Sequence, residues 1–123
     1  MNKAANAAIV IEWGMPRQGR EHKALEVFFA AMQKWEDWKA AGRIAGFQTF
    51  GTLTGDYDHR SGFLLAQGTQ QQIEDLQRSE DYRQEILKVV NIGTNVNIVV
   101  CETGDAMMSR MQRYGSSIKS MGI

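Results

Sequence analysis

The sequence contains one cysteine, Cys101, so no disulfide can close within the chain and no thiolate metal cluster can assemble. Its neighbours Ile98, Val99 and Val100 mark it as a small buried hydrophobe rather than a reactive thiol. Histidine is equally scarce. His22 and His59 are the whole complement, whereas zinc sites gather three or four ligands, so no metal is expected and each imidazole reads as a surface group. An excess of either charge is missing too. Fourteen basic and fourteen acidic residues cancel, which leaves no overall basic surface for neutralising phosphates and points away from nucleic acid as a partner. No apolar run approaches the roughly 20 residues of a membrane span, so no membrane partner is expected. The Ala-rich opening, residues 1–10, is too short and runs too directly into a strand pattern to make a good signal peptide; the chain reads as cytoplasmic. Phosphate loops, nucleophile–base pairs and cofactor fingerprints are absent, and no cofactor is expected.

At 123 residues the chain fits one domain with one core. Residues 8–13 are a β-branched strand ended by Gly14 and the sole proline, Pro16. Residues 20–41 follow helical spacing, with an apolar stripe of Leu25, Phe28, Phe29, Met32 and Trp35, and Gly42 placed to cap the end. Strands at 47–53 and 62–67 flank a polar, turn-rich connection and read as a hairpin. Thr69 and Gln72 form a capping box for a second helix that breaks or shifts near Ser79 and ends at Gly93. Residues 96–101 are the last strand of a β-α-β-β-α-β order. Two helices, each with one apolar stripe, pack most economically on one face of an antiparallel sheet, an α+β fold.

Those helices leave the other sheet face to be covered. By strand alternation Ile9, Ile11, Trp13, Val96, Ile98 and Val100 turn to the helices. Val10, Glu12, Gln48, Phe50, Thr52, Asn97, Val99 and Cys101 turn away. A face carrying Val10, Phe50 and Val99 is too apolar to stand in water, and the strand Phe63, Leu64, Leu65, Ala66 is apolar on both sides. A second copy applied sheet face to sheet face would bury it symmetrically. The chain is therefore expected to be a homodimer.

This order, and above all residues 65–82 with their Ser79-Glu80-Asp81-Tyr82 start to a helix, resembles the dimeric α+β barrel superfamily, whose ferredoxin-like subunits face their sheets together around a cavity. The resemblance covers roughly residues 7–104. It implies an interior small-molecule cavity; the superfamily's functions range over oxygenases, isomerases, haem-degrading enzymes and regulators, so it fixes architecture better than activity. Haem-handling relatives carry a His on or near the second helix, and residues 69–92 here contain none.

Within such a cavity Glu12 is the candidate for chemistry. Partly apolar surroundings would disfavour its charged form and let it act as a base near neutral pH, unless it pairs with an arginine such as Arg17 or Arg43. Gln48, Phe50, Asn97 and Trp13 are the candidate ligand-binding side chains. Arg17 and Arg20, at a helix N-terminus, could hold a carboxylate or phosphate, though solvated charge explains them as well. Trp35 and Trp38 read as packing, and Tyr57, Asp58 and His59 as a polar turn. The functional reading is a dimeric barrel that binds a small apolar ligand without a recognisable catalytic constellation. The alternative is a cofactor-independent monooxygenase or isomerase with Glu12 as base. Domain 1–104 is followed by residues 105–123, an amphipathic helix with Met107, Met111, Tyr114, Ile118 and Met121 on one stripe, expected to pack on the domain or on the partner subunit.

Overall fold

The structure is a computed structural model that describes residues 5–122. Residues 1–4, part of the Ala-rich opening, and Ile123, the last residue of the segment expected from the sequence to be an amphipathic helix, lie outside the described residues. The elements follow in the order β1 (Ala7–Trp13), α1 (Glu21–Ala40), β2 (Gly46–Gly51), β3 (Gly62–Gly68), α2 (Gln70–Arg78), α3 (Glu80–Ile92), β4 (Asn97–Glu102) and α4 (Gly104–Ser120). The strands form one open antiparallel sheet in the order β2-β3-β1-β4.

Strand alternation decides what is buried. Ile9 lies between Ala66 and Val100, and Ile11 between Leu64 and Ile98, all on the helix side. Ile9, Ile11, Leu64 and Ala66 are buried there beneath Ile73 and Leu76 of α2. The next residues along each strand face away. Gln48, Leu65, Val10 and Val99 form one cross-strand row on the uncovered side, and Phe50, Phe63, Glu12 and Asn97 form the next. Phe50 is 38% exposed and Val99 39%. The half-buried Cys101 is on this side as well, in register with Ala8. Thr52 falls just beyond β2, where its hydroxyl donates to the Arg60 carbonyl.

The helix signals translate directly. Thr69 and Gln72 make both hydrogen bonds of the capping box, and Ser79 ends α2 while its side chain caps α3. Gly42, at φ 75°, takes the left-handed position after α1 that a side chain would resist. On α1 the apolar stripe divides. Trp35 and Trp38 enter the core with Tyr82, edge to face at 4.7 Å between the two indoles, whereas Leu25 and Phe29 are exposed. The large aromatic pair fixes the C-terminal half of α1 on the core, and the N-terminal half borders a cavity instead of filling one.

The α2–α3 junction is tied to the end of α1 through Asp81. Its Oδ2 accepts from Arg43 Nη1 at 2.6 Å and Trp38 Nε1 at 3.0 Å; its Oδ1 accepts from Arg43 Nη2 at 3.2 Å and the Tyr82 amide at 3.1 Å. The guanidinium, helped by Ser79 and Trp38, holds the Asp81 carboxyl well below the ordinary value of 3.8. A carboxylate so depressed contributes fully above its unfolded value, and the contribution is lost as pH falls towards the folded value. Asp81→Asn should therefore cost about 1.5 kcal/mol at pH 7, the pair being partly solvated. Urea melts of the two proteins should converge on acidification below about pH 4; a gap that stays constant with pH would count against the ion pair.

Candidate functional site

The site begins with small residues. On the helix side of the sheet, Trp13 sits in register with Gly62, which sits in register with Gly51. A Cβ at Gly62 would lie 2.6 Å from the Phe50 carbonyl oxygen and 3.0 Å from the Trp13 ring, so only glycine lets that indole lie along the sheet. Above this floor α1 presents Ala24 and Ala31. With glycine below and alanine above, the two layers cannot fill the space between them, and a cavity of about 610 Å³ remains. That volume falls within the range of small-molecule sites.

Its walls are largely apolar: Ile11, Trp13, Phe28, Met32, Trp35 and Leu64 line it. Trp13 meets Phe28 edge to face at 6.2 Å, and Phe28 meets Phe29 at 5.6 Å. Four polar side chains, Thr49, Ser61, Glu21 and Tyr57, also border it. Ser61 is engaged locally, its hydroxyl donating to the Tyr57 carbonyl at 2.8 Å, and Glu21 Oε1 accepts the Gly19 amide at 3.3 Å. The lining is thus mainly apolar, with few polar groups that could fix the orientation of a bound molecule.

Trp13 and Phe50, from the sequence candidates, border this cavity. Phe50 also stacks on Phe63 on the uncovered face, centroids 4.6 Å apart. Gln48, Glu12 and Asn97 stand on that uncovered face, across the sheet from the cavity. Glu12, its side chain 19% exposed, pairs with Arg60 at 2.5 Å, so its arginine comes from the β2–β3 connection. Of the arginines weighed for it, Arg43 holds Asp81, and Arg17 points elsewhere. Arg17 donates to the Val90 carbonyl at 3.4 Å and Arg20 to the Asn91 carbonyl at 3.2 Å. Both guanidiniums thus serve the C-terminal end of α3, where the helix dipole favours cations. Nearby, Arg17, Lys88 and Asn91 border a shallow depression open to solvent.

His22 lies beside Glu26 on the outside of α1, and His59 bonds Asp56 at 3.1 Å in the β2–β3 connection. The Asp56 carboxylate raises the imidazole above its usual range. Among the described residues no group of three or more His, Cys, Asp or Glu is arranged to hold a metal ion. No described helix is long and apolar enough to cross a membrane. Sequence reasoning missed Ala24, Ala31, Gly51 and Gly62, the residues that make the cavity.

No protein-family model matches the sequence, and no curated protein matches it. Two solved structures match its fold. A dimeric ferredoxin-like protein of unknown function from Thermobifida fusca YX superposes with a TM-score of 0.63 at 10% identity, over 84% of this chain and 95% of that one. A dimeric protein of unknown function and ferredoxin-like fold from Bacteroides fragilis NCTC 9343 superposes with a TM-score of 0.62 at 8% identity, over 84% of this chain and all of the other. At such identities the likeness is one of fold: this chain is an α+β protein with the ferredoxin-like fold, extended by a C-terminal helix.

Proposed function

We propose that the chain works as a homodimer, paired through its uncovered sheet face, and that each subunit holds a small apolar ligand between α1 and the sheet. The observation that carries the binding reading is the cavity itself, walled by Trp13, Phe28 and Trp35 and left open by glycine below and alanine above. An aromatic or branched aliphatic molecule suits those walls; a charged one would lose hydration with little to replace it. The pairing reading is supported by the apolar rows on the uncovered face and by the dimeric state of both structural neighbours. Binding without turnover is the simpler role, since the polar groups bordering the cavity form no acid–base or nucleophile–base pair. Chemistry by Glu12 would instead take place between the paired sheets, against Arg60 and Asn97.

The cavity can be tested by filling it. Titration with the uncharged probe N-phenyl-1-naphthylamine should quench tryptophan emission from Trp13 and Trp35 while the probe brightens. Ala24→Trp, at a half-buried position on the cavity wall, should weaken that binding at least about tenfold, equivalent to about 1.4 kcal/mol, without lowering the melting temperature. Undiminished probe binding in a folded Ala24→Trp protein would dismiss the cavity as the site.

A further inference from the structure

α4 is a helix without a reason to be one in its own chain. Helices of its length are marginal in water unless a face is packed, and this one carries Gly115 and four serines, which favour the coil. Yet α4 buries none of its residues. Met107, Met111, Tyr114 and Met121 are exposed along one stripe, and the tie back to the domain is Arg110, whose Nε lies 3.7 Å from Glu102. Arg113 and Lys119, on either flank of the stripe, have no ion pair among the described residues.

A matching surface lies on α1. Leu25 and Phe29, one turn apart, are 59% and 66% exposed. Glu21 and Glu36 lie along the same face and have no salt bridge among the described residues; Glu26 beside them is shared by Lys23 and His22. One helix therefore offers an apolar stripe flanked by cations, and the other an apolar patch accompanied by carboxylates, with no ion pair for Arg113, Lys119, Glu21 or Glu36 among the described residues.

We propose that α4 docks on α1 of a second copy, covering the Leu25–Phe29 patch at the rim of the cavity. The proposal rests on the sheet-to-sheet pairing above. The open sheet has β2 at one edge and β4 at the other, and α1 packs against β2. If two such sheets close with β4 of one beside β2 of the other, each α4 leaves its own β4 on the side where the partner's α1 lies. Because Leu25 and Glu21 also border the cavity, the docked helix shields its mouth, and each site is completed by the other subunit.

Cross-linking tests the contact. In a Cys101→Ser background, chains carrying Leu25→Cys or Phe29→Cys are mixed with chains carrying Met107→Cys, Met111→Cys or Met121→Cys, allowed to exchange, and oxidised with copper–phenanthroline. At least one mixed pair should give a covalent dimer on a non-reducing gel that neither chain gives alone. Sedimentation of the unsubstituted protein separates the two readings. A dimer whose mixed pairs never cross-link overturns the α4 contact and leaves sheet pairing standing. A protein that stays monomeric overturns both. Cross-linking of a Met111→Cys chain only to itself would show α4 packed on α4, and would also overturn the proposal.

Discussion

Gly14→Ala should be the most damaging small substitution in the chain, lowering stability by about 3 kcal/mol. On a melting curve that is a fall of roughly 12 °C for a domain of this size. The cause is proximity rather than backbone conformation. A Cβ at this position would stand 2.5 Å from the Asp58 carbonyl oxygen, 3.0 Å from Thr94 Oγ1 and 3.1 Å from the His59 carbonyl oxygen. Those neighbours have little room to retreat, because three segments are laced together here. The Gly14 amide donates to the Thr94 carbonyl at 2.7 Å, the Met15 amide to the Asp58 carbonyl at 3.1 Å, and the Ser61 amide to the Trp13 carbonyl at 2.7 Å. Accommodating one methyl group would strain or break bonds to both the β2–β3 connection and the α3–β4 turn. It would also shift Tyr57 and Ser61 at the cavity, so probe binding should weaken along with stability. Gly46→Ala is the control, since a Cβ there meets nothing within 4 Å and the residue does not line the cavity. A Gly14→Ala protein that melts with the unsubstituted chain would show that the junction is looser than its hydrogen bonds imply.

The parts of the fold legible in the sequence are those written as repeats or local chemistry. Strand period two sorted Ile9 and Ile11 from Val10 and Glu12 correctly, because a one-residue error would turn the whole set over. Thr69, Gln72, Ser79 and Gly42 carry their structural roles within four residues of themselves. The illegible parts are long-range or subtractive. The helical period cannot tell that Trp38 enters the core while Leu25 and Phe29 do not; that is decided by Tyr82 and Arg43, brought in by other elements. The partners of Arg17 and Arg20 lie 73 and 71 residues away. The cavity is harder still to foresee, since it is made by side chains too small to fill a space. Alanines on a helix and glycines at strand ends leave no periodic mark, and Gly62 reads from sequence only as the first residue of a strand.

Val99→Lys should turn a dimer into a folded monomer. Val99 stands on the edge strand β4, in the cross-strand row with Val10, Leu65 and Gln48, and is already 39% exposed within one subunit. A lysine there reaches water in the isolated chain, so folding should survive with an unchanged circular dichroism spectrum. In a symmetric pair every substitution enters twice, and both ammonium groups would be enclosed between the sheet faces, where Glu12, the carboxylate of the adjoining row, is already paired with Arg60. Stranding them costs about 3 kcal/mol, which raises the dissociation constant roughly 100-fold. Sedimentation across a dilution series should show the midpoint moving by that factor, while Lys119→Ala, remote from the sheet, should leave the sheet contact in place and shift it far less. If Val99→Lys dissociates at the same concentration as the unsubstituted chain, the uncovered face is not the interface. The apolar rows of Val10, Phe63 and Leu65 would then need another cover, and with α4 free to move, its Met-rich stripe would be the first segment to place against them.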